Sequence, residues 1–132
     1  MGITKPRQTT WFPAVRRFFI SVKWRVRGSR ATKHNNAWTV IEYRGKPYRF
    51  QSKKEARRAF DLMVAQDGGL ISGLQFQVWV PLVAGIRYRV DFVYVERGGE
   101  VYEDAKGHAT EVFRIKAKLF KYCYPDRTLR IT

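Results

Sequence analysis

Arg89-Val90-Asp91-Phe92-Val93-Tyr94 and Val101-Tyr102-Glu103-Asp104-Ala105-Lys106-Gly107 are the two stretches on which the reading of this chain turns. Both are rich in β-branched and aromatic residues, which predicts strands, and Gly98-Gly99 between them predicts a tight hairpin. Side chains alternate across a strand, so Asp104 and Lys106 share one face and Glu103 points to the other. The hairpin sets Asp91 beside Asp104, with Lys106 alongside. Two carboxylates that close repel unless a cation lies between them, and hard oxygen ligands suit Mg²⁺ or Mn²⁺. The neighbouring ammonium is placed to steady a developing negative charge or position a water, which is the outline of a phosphodiester-cutting site. Glu103 is expected to be a surface or partner-facing acid, and a one-residue register slip would exchange it with Asp104.

The rest of the chain fits that reading. Its 132 residues suit one domain, and 45% hydrophobic with 15% aromatic residues is ample for a core. The net charge is +15 and is one-sided. Residues 1 to 58 hold 16 Lys and Arg against Glu42 and Glu55, whereas residues 59 to 132 hold 10 against 9 acids. Such a charge calls for a polyanion, and beside a metal-type carboxylate pair it favours nucleic acid over an anionic membrane; composition alone leaves DNA and RNA undistinguished. Cys123 is the only cysteine, so neither an intrachain disulfide nor a cysteine-based zinc site is expected, and the setting reads as cytoplasmic. Arg16, Arg17, Lys23 and Arg25 interrupt the early apolar stretch, which predicts neither a signal peptide nor a transmembrane helix.

Two periodicities compete in residues 1 to 31. Alternation of Phe18, Ile20, Val22, Trp24 and Val26 with basic and polar residues favours a strand over 19 to 27, against an amphipathic helix able to lie on a membrane. A loop follows over 28 to 36. Residues 37–43 and 47–50 read as a hairpin turning at Arg44-Gly45-Lys46. Ser52, with Glu55 three residues on, starts a helix whose apolar face is Ala56, Ala59, Phe60 and Met63, and Asp67-Gly68-Gly69 stops it. Strands are predicted over 74–82, 88–96 and 100–106. A second helix over 110–122 takes Val112, Phe113, Leu119 and Phe120 as core and turns Arg114, Lys116, Lys118 and Lys121 outward, and a short strand over 128–131 closes the chain. From residue 52 the order is helix, three strands, helix, strand, an α/β arrangement of one mixed sheet flanked by helices, with an N-terminal β extension.

That order, with its carboxylates and lysine, resembles the PD-(D/E)XK nuclease superfamily and implies a restriction-endonuclease-like core. Tyr48 to Arg58, Tyr88 to Phe92 and Tyr102 to Gly107 look like a phage and prophage family long labelled only as a domain of unknown function. The resemblance covers residues 33 to 132 and leaves 1 to 32 as a basic, aromatic extension. It implies a Mg²⁺-dependent DNA endonuclease, similar in layout to phage junction-resolving enzymes, acting in the host cytoplasm. Carried over residue by residue, the metal-binding acids fall on Asp91 and Asp104, with the Ala105 carbonyl, the catalytic lysine on Lys106 and the helix acid on Glu55. Val90 stands where the superfamily's name has proline, a position that makes no ligand.

Other readings attach to the same residues. Glu55 also reads as the capping partner of Ser52. Gln77 is a candidate to hold a metal-associated water, and His108 a candidate acid or phosphate contact. Lys53, Lys54, Arg57, Arg58, Arg114, Lys116 and Lys118 flank the site and suit phosphate contacts that read shape rather than sequence. Trp11, Trp24, Trp38 and Tyr43 are candidates to stack on exposed bases, or for the core. A homodimer is expected for an enzyme cutting both strands of a branch, with the N-terminal segment as its interface. His34-Asn35-Asn36 lacks the spacing of a His-Asn-His nuclease, and the chain has no Walker-type loop and no Ser/His/Asp set. The competing functions are a catalytically silent DNA-binding or packaging-associated protein and a sequence- or mismatch-directed nicking enzyme.

Overall fold

A computed structural model describes residues 22–26, 38–106 and 108–132, with only the backbone described for the first of these. The expectations for Trp11, for the Trp24 side chain, for the loop over 28–36, for the N-terminal dimer interface and for Gly107 lie outside the described residues. Three strands, β1 (Val22–Val26), β2 (Thr39–Tyr43) and β3 (Lys46–Phe50), form an antiparallel sheet. The β1 register, Val22 opposite Tyr43 and Val26 opposite Thr39, makes the expected N-terminal strand an edge of that sheet. Arg44 and Gly45, with φ of 50° and 77°, make the two-residue turn between β2 and β3, and the left-handed backbone is why glycine sits there.

Helix α1 (Lys53–Asp67) starts where expected: Ser52 is the N-cap and its hydroxyl accepts from Glu55 N–H at 3.0 Å. Strand β4 (Ile71–Pro81) begins three residues earlier than predicted, and Gly73 (φ 63°) lies within the register shift between Ser72 and Gln75. Strands β5 (Arg87–Glu96) and β6 (Gly99–Asp104) are joined at Arg97-Gly98, both with positive φ, a second Arg-Gly turn like the first. Strand β6 ends at Asp104, so Ala105 and Lys106 stand beyond the strand predicted to hold them. Helix α2 (Glu111–Cys123) is capped by the Thr110 hydroxyl on Phe113 N–H, and strand β7 (Thr128–Ile131) lies parallel to β6.

The strands form two sheets. The four-stranded sheet, order β4-β5-β6-β7, is mixed as predicted from residue 52 onward, while the hairpin joins β1 in a separate sheet. The two share one core. Ile41, Tyr43 and Phe50 pack with Ala59, Leu62 and Met63 of α1 and with Phe92, Tyr94 and Val101 of the larger sheet. Phe76 joins the layers, its ring 4.6 Å from Tyr48, 5.8 Å from Phe50 and 6.0 Å from Phe92. Val80, Tyr88, Val90, Val93, Tyr102 and Phe120 form a second core under α2. The larger sheet is thus covered on both faces, which explains its apolar strands.

One expectation about a single residue is corrected and one alternative is decided. Val112, expected in the core of α2, is 62% exposed, because that helix touches the sheet mainly through Phe113 and the fully buried Phe120. Of the two readings of Tyr43, base stacking or core, the core holds: the residue is buried, and its hydroxyl donates to Asp67 Oδ1 at 2.8 Å at the end of α1.

Candidate active site

Phe92 pairs with Glu103 across β5 and β6, so one step further along the ladder Asp91 stands abreast of Asp104. Phe76 and Val78 pair with Phe92 and Val90, which puts Gln77 level with Asp91 on the other side. Three polar residues thus form one row across three strands. At this row the strands change allegiance: Leu74, Phe76, Phe92 and Tyr94 belong to the α1 core, whereas Val78, Val80, Tyr88 and Val90 belong to the α2 core. Gln77 makes the switch in β4, with φ of 51°, a conformation strained for a residue with a Cβ.

Asp104 is fully buried. Its Oδ2 accepts from the Tyr88 hydroxyl at 2.5 Å, and its Oδ1 lies 3.1 Å from Lys106 Nζ. The lysine meets Oδ1 at ion-pair distance without the alignment of a hydrogen bond, so this buried oxygen has a charge beside it and no donor. Asp91 Oδ2 accepts from Ala105 N–H at 2.9 Å, which anchors the residue between the two catalytic candidates. Burial, followed by the hydrogen bond and charge of Asp104, pushes the Asp91 carboxyl up to about 7. Without a cation, the pair therefore holds a proton near neutrality.

Glu55 is 8% exposed and receives Gln77 Nε2 at 3.4 Å. Burial raises its carboxyl above the ordinary range, and the Asp104 charge adds to this while Gln77, the Gln51 backbone and Arg89 oppose it. Asp91, Lys106, His108 and Lys116 line one cleft of about 470 Å³, together with Tyr88 and Arg89. The candidates Glu55 and Gln77 meet each other rather than that cleft, and Gln77 lines a second cleft of about 490 Å³ between β3 and β4. Lys54 Nζ donates to the Lys106 carbonyl at 2.8 Å and ties the start of α1 to the segment that carries the lysine. Lys53, Arg57, Arg114 and Lys118 are exposed, as phosphate contacts require.

Glu103 and Arg58 depart from expectation together. Glu103 is not a surface acid but fully buried, under α1. Its carboxylate takes the Arg58 guanidinium through Nε and, at 3.0 Å, Nη2, and also the Tyr94 hydroxyl at 2.6 Å and Thr132 Oγ1 at 3.1 Å. Burial alone would raise this carboxyl, but those donors outweigh it and hold it below its ordinary value. Arg58 is consequently a structural partner of Glu103 across the sheet from Asp104. Sequence reasoning missed Tyr88, Arg89 and Trp79, because nothing in the alternation of β5 separates a tyrosine that packs from one that also steers a carboxylate.

The donor set suits a hard divalent cation: two carboxylates abreast, one with a buried oxygen lacking a donor, the other retaining a proton that a cation would displace. Among the described residues no three His, Cys, Asp or Glu converge as a ready-made cluster, so further ligands would come from the backbone, water or a shift of Glu55. Also among the described residues, no helix is long and apolar enough to cross a membrane. No curated protein matches this sequence. Residues 33–132 match the family model described as "Protein of unknown function (DUF1064)", and the chain belongs to that family.

Proposed function

We propose that this DUF1064 member is a Mg²⁺-dependent DNA endonuclease with a PD-(D/E)XK-type site, directed to branched DNA as a junction-resolving enzyme would be. The observation that carries the reading is the Asp91–Asp104 pair with Lys106 ion-paired to it, at the edge of a cleft lined by Arg89 and Lys116. The order helix, three strands, helix, strand from residue 53 supports it, as does the excess of basic charge.

Asp91 and Asp104 would hold the cation, with the Ala105 carbonyl and Glu55 as further oxygen donors. When bound, Mg²⁺ supplies Lewis-acid polarisation of the scissile phosphate and acidifies water for attack. Asp91 gives up its proton as the site loads. The Tyr88 hydroxyl fixes the Asp104 carboxylate in orientation, and Ala105 N–H does the same for Asp91. Lys106, 36% exposed, sets a positive charge where negative charge grows on the phosphate oxygens. Lys53, Arg57, Arg114, Lys116 and Lys118 would meet backbone phosphates on either side, and a homodimer would present two such sites to a branch.

The test is incubation of the full chain with labelled four-way junction, flap, single-stranded and linear duplex DNA, in Mg²⁺ and in chelator, beside Asp104→Ala. Cutting of the branched DNA that needs metal and vanishes in the variant is expected. Equal cutting by the variant would sink the site assignment. Cutting of plain duplex at one sequence would favour the nicking alternative. Tight binding without cutting in either Mg²⁺ or Mn²⁺ would leave a silent DNA-binding protein.

A further inference from the structure

We infer that Trp79, with Arg87 and Arg89, forms a platform on which an unpaired nucleobase of the bound DNA stacks beside the cutting site. The inference rests on the nuclease reading of the adjoining carboxylates and narrows its substrate to DNA with at least one base outside the duplex. Trp79 lies on β4 directly opposite Arg89 of β5 and is 54% exposed. It lines the same cleft as Asp91 and Lys106. Two guanidinia sit over the indole, with Arg87 Cζ 5.0 Å and Arg89 Cζ 5.8 Å from the ring centroid.

A lone exposed aromatic needs no explanation, but this one has unusual company. Arg87 and Arg89 are two residues apart on one strand, so they repel, and among the described residues neither forms an ion pair with a carboxylate. Two cations held against one π-surface without an ion-pair partner are complementary to a ligand with an aromatic face and negative charges next to it. A nucleotide has both: the base stacks on indole or guanidinium, and its flanking phosphates meet the arginines. Bases inside a duplex already stack on each other and cannot reach the ring. A flap, a branch point or a single-stranded end offers one that can, and the neighbouring phosphate then falls toward Asp91 and Lys106.

The experiment uses the full chain in chelator, where nothing is cut, and DNA carrying 2-aminopurine either at the first unpaired position of a flap or inside a duplex of equal length. The wild type is expected to quench the flap probe and to bind the flap about tenfold more tightly than the duplex. Trp79→Ala should lose the quenching and the preference while holding the duplex within about twofold, and Trp79→Phe, which keeps a π-face, should retain most of both. Undiminished quenching by Trp79→Ala overturns the inference, as does an equal loss on flap and duplex, a Trp79→Phe variant no better than alanine, or no binding of any nucleic acid. Stacking by a protein that cuts nothing in Mg²⁺ would defeat the nuclease reading alone. Branch cutting that is indifferent to Trp79→Ala would defeat the platform alone.

Discussion

At Asp91 a single proton links stability to chemistry. Its folded-state carboxyl is raised from an ordinary 3.8 to about 7, so the stabilisation from holding the proton is full below about pH 4 and is lost as pH rises through 7. The metal-free protein should therefore be less stable at pH 8 than at pH 5 on account of this residue. Asp91→Asn keeps an acceptor for Ala105 N–H and removes the titration, and it should raise metal-free stability at pH 8 by on the order of 1–2 kcal/mol, after discounting for the residue's partial exposure. Thermal melts across pH in chelator check the sign, and a variant that melts lower at pH 8 would refute it. Added Mg²⁺ should raise the melting point of the wild type and not of Asp91→Asn. Lys106→Ala, by contrast, should lower the cutting rate by about a hundredfold or more with DNA affinity nearly unchanged, as measured under single-turnover conditions.

Among the elements, the sheet row through Gln77 shows what sequence could and could not convey. Helix α1 was legible because a hydroxyl at Ser52 and an acid at position 55 announce a capped start, and the abreast carboxylates followed from a hairpin and period-two alternation. The change of face at Gln77 and Asp91 was not, since Val90 and Phe92 are both apolar and an alternating pattern reads straight through a row where the cores trade places. Nor does a β-hairpin's pattern state which sheet it will join, so the separate β1-β2-β3 sheet was hidden. Glu103 departs from its expected surface place because alternation says which face a side chain takes and not whether a helix covers that face. Gln77 itself yields an element-scale prediction. Gln77→Gly relieves the left-handed strain and should stabilise the fold by about 0.5–1 kcal/mol, while loosening the row and lowering activity; denaturant unfolding and cutting assays measure the two sides.

For the whole molecule, the excess of basic charge and the Arg58–Glu103 ion pair act at different distances. If Lys53, Arg57, Arg114, Lys116 and Lys118 each meet a phosphate, the logarithm of affinity should fall against the logarithm of salt with a slope of about −4.5, and each lysine or arginine removed should flatten it by about 0.9. A flat salt series would refute backbone recognition. The Arg58–Glu103 pair instead fastens α1 to the strand that carries Asp104, and Arg58→Ala should cost about 3 kcal/mol by leaving the buried Glu103 carboxylate without its cation, whereas Glu103→Gln should cost less because Arg58 is 30% exposed. Replacing both with apolar residues should recover part of it, since neither charge is then stranded. Strand β6 thus sends adjacent acids to opposite sides of the sheet, one into framework and one into the proposed chemistry. A comprehensive variant library should separate these neighbouring codons: substitutions at 103 would vanish from the pool of folded, abundant protein, whereas asparagine at 104 would persist there and drop out only when selection demands cleavage.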